Sequence, residues 1–101
     1  MMKVLTSKQR QFLRGLAHPL APVVRVGKAG VTESVIAETK KSLHSHELIK
    51  VRIEVDEGAE RKALAETLAT ATDAQVAGTV GKVAILYRER DEEPEIKLPG
   101  V

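Results

Sequence analysis

The chain of 101 residues has no cysteine and no tryptophan, and its only aromatic side chains are Phe12 and Tyr87. Without thiols there is no disulfide framework, no thiolate zinc site and no cysteine nucleophile. Two aromatics cannot build a broad platform on which bases stack. No apolar run approaches the roughly 20 residues of a membrane span. No charged-then-apolar leader opens the chain, so a cytoplasmic protein with no membrane partner is expected. Acidic residues are scarce in one half: residues 1–52 hold ten Lys or Arg against three Glu, a net of +7. Residues 53–101 hold six against eleven Asp or Glu, a net of −5. A basic half in a small domain points to a polyanionic partner.

This length fits one domain, and Val, Leu, Ile and Ala carry most of its apolar content. Thr6 with Gln9 three residues on forms a capping box, and Phe12, Leu13, Leu16 and Ala17 form the apolar stripe of a first helix. Pro19 disfavours helical backbone at His18, so the helix ends near there. Ala21 to Val26 reads as a strand, and Thr32 reads as the N-cap of a second helix that runs to His44–His46. In Glu47 to Val55, Ile49, Val51, Ile53 and Val55 alternate with mostly polar residues, which predicts a strand with one core face. Ala59 to Thr72 is an alanine-rich helix. Gln75–Val80 and Lys82–Arg88 flank Gly81 as a tight hairpin.

The order helix-strand-helix-strand-helix-strand-strand predicts an α/β fold of the α+β type, a single domain with a mixed four-stranded sheet packed against helices. Its first two strands should be parallel and its last two antiparallel. Residues 91–101 are dense in charge and read as a C-terminal tail, in which Ile96 and Leu98 are the residues able to dock.

Between the first strand and the Thr32-capped helix lies Gly27-Lys28-Ala29-Gly30. Four such residues alone specify no more than a turn. Their place between a strand end and a helix N-terminus aims backbone N–H groups outward, where an anion is the natural occupant. A Walker loop would need GxxxxGK followed by Ser or Thr, and a dinucleotide fold a third glycine; neither is present, and no small-molecule substrate or cofactor is expected. A short loop without side-chain bulk suits a sugar-phosphate backbone, as in GXXG loops of KH domains. Lys28 would add its charge to that contact, Thr32 belongs to the same candidate RNA-binding set as the loop, and Arg25, Lys40, Lys41, Lys50, Arg52, Lys8, Arg10 and Arg14 make up the basic set that the fold could gather around it. Recognition by shape and backbone, with steep salt dependence, is the expected mode.

His44-Ser45-His46 invites a metal reading, but residues two apart diverge on a helix and no carboxylate cluster completes a site, so no metal is expected. No serine sits in a nucleophile elbow, and no catalytic constellation is seen, so the chain is not expected to be an enzyme.

Leu16-Ala17-His18-Pro19-Leu20, Gly27-Lys28-Ala29-Gly30 with Val31-Thr32-Glu33, His46-Glu47-Leu48-Ile49-Lys50-Val51, and Gly81-Lys82 with Val83 to Arg88 occur in one order. In that order they resemble the CRM domain (chloroplast RNA splicing and ribosome maturation), in particular its stand-alone bacterial form, the YhbY family. The resemblance implies residues 1–90 as a CRM RNA-binding domain, with a fold like the C-terminal domain of translation initiation factor 3. It further implies ribosome biogenesis, with ribosomal RNA in precursors of the large subunit as partner and ribosomal proteins as further contacts. The family's GxxG loop, the presumed RNA contact, is carried here by Gly27 to Gly30. Ala29 departs from the polar residue or glycine expected there, which leaves a backbone contact at that position. The alternative is a protein-interaction module that docks on a ribosomal protein or assembly enzyme without primary RNA contact.

Overall fold

The computed structural model describes residues 4–100; residues 1–3 and 101, at the outer limits of the expected domain and tail, lie outside the described residues. The elements follow the expected order: α1 Ser7–Ala17, β1 Pro22–Val26, α2 Glu33–His46, β2 Leu48–Ile53, α3 Gly58–Ala71, β3 Gln75–Val80 and β4 Val83–Tyr87. They form one sheet in the order β1-β2-β4-β3. β1 and β2 are parallel, and β4 is antiparallel to both β2 and β3. The capping box at Thr6 and Gln9 and the N-cap at Thr32 are both formed. A two-residue turn with Gly81 at φ +57° joins β3 to β4, an arrangement that suits a side chain with no Cβ.

Helices pack on both faces of the sheet, fully on one and in part on the other. Val24, Val26, Ile49, Val51, Ile53, Ala84 and Leu86 pack under Leu43 of α2 and Ala65, Leu68 and Ala69 of α3. On the other face Leu48, Ala77, Ile85 and Tyr87 pack against Leu5 and against Leu13 and Ala17 of α1. Only part of the expected α1 stripe is therefore interior: Phe12 and Leu16 remain 38% and 42% exposed. α1 crosses the β2, β4 and β3 part of the sheet, and the strip of this face carrying Val23, Arg25 and Arg52 stays accessible. Burying each of Leu13 and Leu48 contributes about 1.5–3 kcal/mol.

Residues 91–100, read from sequence as a charged tail, contain no helix or strand, yet they lie against the domain. Ile96 and Leu98 pack on the α1-side core. Gln9 Nε2 donates to the Pro99 carbonyl at 3.0 Å. The anchor is Glu47, which is buried at φ +61° between α2 and β2. Its carboxylate accepts the backbone N–H groups of Arg90, Glu95 and Ile96 at 2.8–2.9 Å. Arg90 in turn reaches the carbonyls of His44 and Ser45 at the end of α2. This cation caps the C-terminal carbonyls of the helix, where the helix dipole favours it. A left-handed backbone at a non-glycine residue costs about 1–2 kcal/mol, and three charge-assisted hydrogen bonds offset it.

Burial raises the Glu47 pKa, but the N–H groups of Arg90, Ile96 and Glu95 and the Arg90 charge outweigh that and leave it below the ordinary 4.5. A carboxylate lowered in the folded state stabilises it above the unfolded value, and that contribution is lost as pH falls through the folded pKa. Urea denaturation at pH 7 and below 4.5 should therefore show a stability loss in acid that Glu47→Gln lacks. At pH 7 the same variant should be less stable by about 1–3 kcal/mol, with faster amide exchange at Glu95 and Ile96. Unchanged exchange would contradict the anchor.

Tyr87, 1% exposed, has a hydroxyl with no hydrogen-bond partner among the described residues. Burial and the charges of Glu89 and Glu47 push its pKa up to about 12. Since an unsatisfied buried hydroxyl is destabilising, Tyr87→Phe should be neutral or stabilising by about 1 kcal/mol in the same denaturation assay.

Candidate nucleic-acid interface

β1 ends at Val26, whose carbonyl accepts the Glu54 N–H at 2.8 Å, and the chain then turns through Gly27 to Gly30. The turn is closed by Gly30 N–H to the Gly27 carbonyl at 3.0 Å, and Thr32 N–H bonds the Gly30 carbonyl at 3.1 Å. Thr32 Oγ1 accepts the Val35 N–H at 3.2 Å and starts α2. Among the described residues, the N–H groups of Lys28 and Ala29 in the turn have no partner, nor have those of Glu33 and Ser34 in the first turn of α2. Glu33 places a carboxylate in that same first turn. Any anion here therefore relies on the loop amides and Lys28 more than on the helix dipole.

The two loop glycines stand on different physical grounds. Gly30 has φ +78°, and a Cβ there would lie 3.9 Å from Leu64 Cδ2 of α3. Backbone conformation is what calls for a glycine at this position. Gly27 has no such constraint: its φ is not in the left-handed region, and an added Cβ would meet nothing within 4 Å. Nothing inside the fold requires the missing side chain at Gly27, whereas something approaching from outside would benefit from it.

Three of the basic residues singled out in the sequence share the sheet face left open by α1. Arg25 and Arg52 are partners across β1 and β2, and Lys50 precedes them, its Nζ donating to the His18 carbonyl at 3.2 Å. Lys28 follows in the exposed turn. Lys40 and Lys41 are exposed on α2, which covers the opposite sheet face. Lys8, Arg10 and Arg14 are on α1, on the same side of the sheet as Arg25 but over its other strands. Arg10 donates to the Leu5 carbonyl and Ser7 Oγ, and Arg14 to the Ala77 carbonyl at 3.1 Å. The Arg14 stem also occupies the space above Gly78, where a Cβ would sit 2.5 Å from its Cδ. Both arginines thus have structural partners, and the set is divided rather than gathered into one patch.

Lys82 lies outside the basic set read from the sequence, although Gly81-Lys82 is one of the motifs of the resemblance. Its carbonyl accepts the Ile53 N–H at 2.7 Å, and its Nζ lies 2.8 Å from Asp56 Oδ1. β4 lies beside β2, which brings this turn to the sheet end that carries the Gly27–Gly30 loop. An open groove of about 510 Å³ at that end is lined by Arg61, Lys62 and Lys82 together with Gly58 and Gly81. Asp56 is held below the ordinary carboxylate range by its bond to Lys82. Glu54 is held low first by its bond to Arg52; burial opposes this, and the charges of Arg52, Arg25 and Lys82 add to the lowering. Among the described residues no group of His, Asp or Glu is arranged to hold a metal ion, and no helix is long and apolar enough to cross a membrane.

The chain is similar along nearly its whole length to a Haemophilus influenzae protein named RNA-binding protein, with 42% identity over 98 residues, 97% of this chain and 98% of the relative. A Bacillus subtilis relative, named Probable RNA-binding protein YqeI, is 38% identical over 96 residues, 95% of this chain and all of its own length. The solution structure of the Staphylococcus aureus protein SAV1595 superposes with a TM-score of 0.85 at 40% identity, covering 95% of this chain and all of that one. The family model of the CRS1/YhbY (CRM) domain matches residues 5–88. With the glycine loop between a parallel strand and a capped helix, and a match that spans every helix and strand, the chain belongs to the CRS1/YhbY (CRM) domain family.

Proposed function

We propose that this protein binds RNA without catalysing a reaction, and that its partner is ribosomal RNA in precursors of the large ribosomal subunit. Its place would be the cytoplasm and its role ribosome biogenesis, with ribosomal proteins as further contacts. Gly27 carries the reading: it is an exposed glycine whose missing side chain the fold does not use, set among loop N–H groups that have no partner among the described residues. The names of the relatives point to the same class of ligand.

Gly27 leaves room for a sugar-phosphate backbone to lie against the loop, and the N–H groups of Lys28 and Ala29 donate to its phosphate oxygens. Lys28 adds one cation. Arg25, Arg52 and Lys50 extend the positive surface along the open sheet face, and Lys40 and Lys41 offer outlying charge on α2. With Phe12 and Tyr87 as the only aromatics, one half-exposed and one buried, readout by base stacking contributes little. Shape and backbone set the recognition, and affinity falls steeply with salt.

Gly27→Ala should fold with unchanged stability and bind ribosomal RNA fragments about tenfold more weakly, close to 1.4 kcal/mol. Gly30→Ala should instead lose about 1–2 kcal/mol of stability, because alanine resists a φ of +78°. Lys28→Glu should weaken binding and reduce the slope of log affinity against log salt by about 1 or more. Thermal melts and filter binding separate these effects, and a Gly27→Ala protein that binds like the parent contradicts the loop assignment. In cell extract, cosedimentation with precursor large subunits should disappear after RNase treatment. Survival of the association would favour a protein partner.

A further inference from the structure

Arg25 and Arg52 lie opposite each other on parallel strands and point to the same open face. Like charges directly opposite repel and, left alone, would splay apart. Glu54 stands between them. Its Oε1 is 2.8 Å from Arg52 Nε and 3.5 Å from Arg25 Nε, with side-chain exposures of 36% for Glu54, 42% for Arg52 and 72% for Arg25. The backbone of Glu54 is itself fixed, since its N–H bonds the Val26 carbonyl one residue before Gly27.

What matters is which nitrogens are used. Each guanidinium meets Glu54 through Nε, and the terminal nitrogens of both have no partner among the described residues. Those are the atoms that form the planar fork matching two oxygens of a phosphate. One carboxylate oxygen thus accepts a hydrogen bond from the inner nitrogen of Arg52, pairs by charge with that of Arg25, and leaves both outer forks without a partner among the described residues, beside the strand end that leads into the loop.

We infer that Glu54 is a positioning residue for RNA: it holds Arg25 and Arg52 as a paired phosphate seat on the sheet face, separate from the Gly27–Gly30 loop. This inference rests on the RNA-binding reading above. It makes a prediction opposite in sign to simple charge counting. An acidic side chain near a polyanion repels it, so removing Glu54 for charge alone tightens binding. If Glu54 organises the fork, its removal weakens binding although the protein becomes one unit more positive.

Filter binding of ribosomal RNA fragments should be measured for the parent, Glu54→Ala, Glu54→Gln, Arg25→Ala/Arg52→Ala, and the triple variant. Glu54→Ala should bind about fivefold more weakly than the parent. Glu54→Gln, which keeps an acceptor oxygen without the charge, should recover part of that loss. In the background lacking both arginines, the added removal of Glu54 should no longer weaken binding and should tighten it. Tighter binding by both single Glu54 variants, in a parent that binds RNA, overturns the inference and leaves the loop assignment intact. A parent that fails to bind overturns both. Melting curves of the Glu54 variants that match the parent assign any change to the RNA contact, whereas a binding loss that follows a lowered melting temperature in both overturns it.

Discussion

Two strands that run in the same direction cannot be joined by a turn, and the chain must return to the start of the first before the second can pair with it. Between β1 and β2 that return is made by α2, whose Leu43 shares one buried core with Val24 and Val26 of one strand and Ile49, Val51 and Ile53 of the other. The geometry of the site follows from this crossover. It requires the exit of β1 to meet the entry of α2, and the glycine loop fills the space between them. It also sets Arg25 beside Arg52 and Glu54 beside Val26. A different register would put the arginines on different faces and remove the fork, because a slip of one residue turns every side chain over.

The opposite end of α2 has a different chemistry. There the helix stops without a glycine, at a buried glutamate in left-handed backbone, and the carboxylate holds residues 90–96 by their main-chain N–H groups. The acidic residues Asp91, Glu92, Glu93 and Glu95 are thereby fixed at the C-terminal end of α2 and the start of β2, while the Gly27–Gly30 loop lies at its N-terminal end. The charge asymmetry between the two halves of the sequence becomes, in part, an asymmetry between two ends of the folded domain. On the proposed reading, a polyanion would be attracted to one end and repelled from the other, which would orient its approach.

Much of this was legible in the sequence because it is local. Thr6 with Gln9 and Thr32 before an apolar period announced the helix starts, the alternation from Ile49 to Val55 announced β2, and Gly81 announced the hairpin. The contents of the site were legible only in part. Gly27 and Gly30 look equivalent in the sequence, and only backbone angles and surrounding space separate the glycine that the fold needs from the one it does not. Arg10 and Arg14 look as available as Arg25, because nothing local reveals that they bond carbonyls of Leu5 and Ala77. Lys82 and Glu54 gained their positions from the insertion of β4 beside β2 and from the β1–β2 pairing, which are long-range choices. Glu47 reads as the first residue of a strand, and its role depends on partners more than 40 residues away.

The proposed RNA contact lies at the sheet end formed by the Gly27–Gly30 loop and the exits of β1 and β2. Amide chemical-shift mapping during titration with a fragment of large-subunit ribosomal RNA tests it most directly. The largest shifts should fall on residues 25–34 and 52–54, with smaller ones near Lys82, and residues 90–98 should stay unmoved. Shifts confined to α1 and the 90–98 segment, with the loop silent, would contradict it.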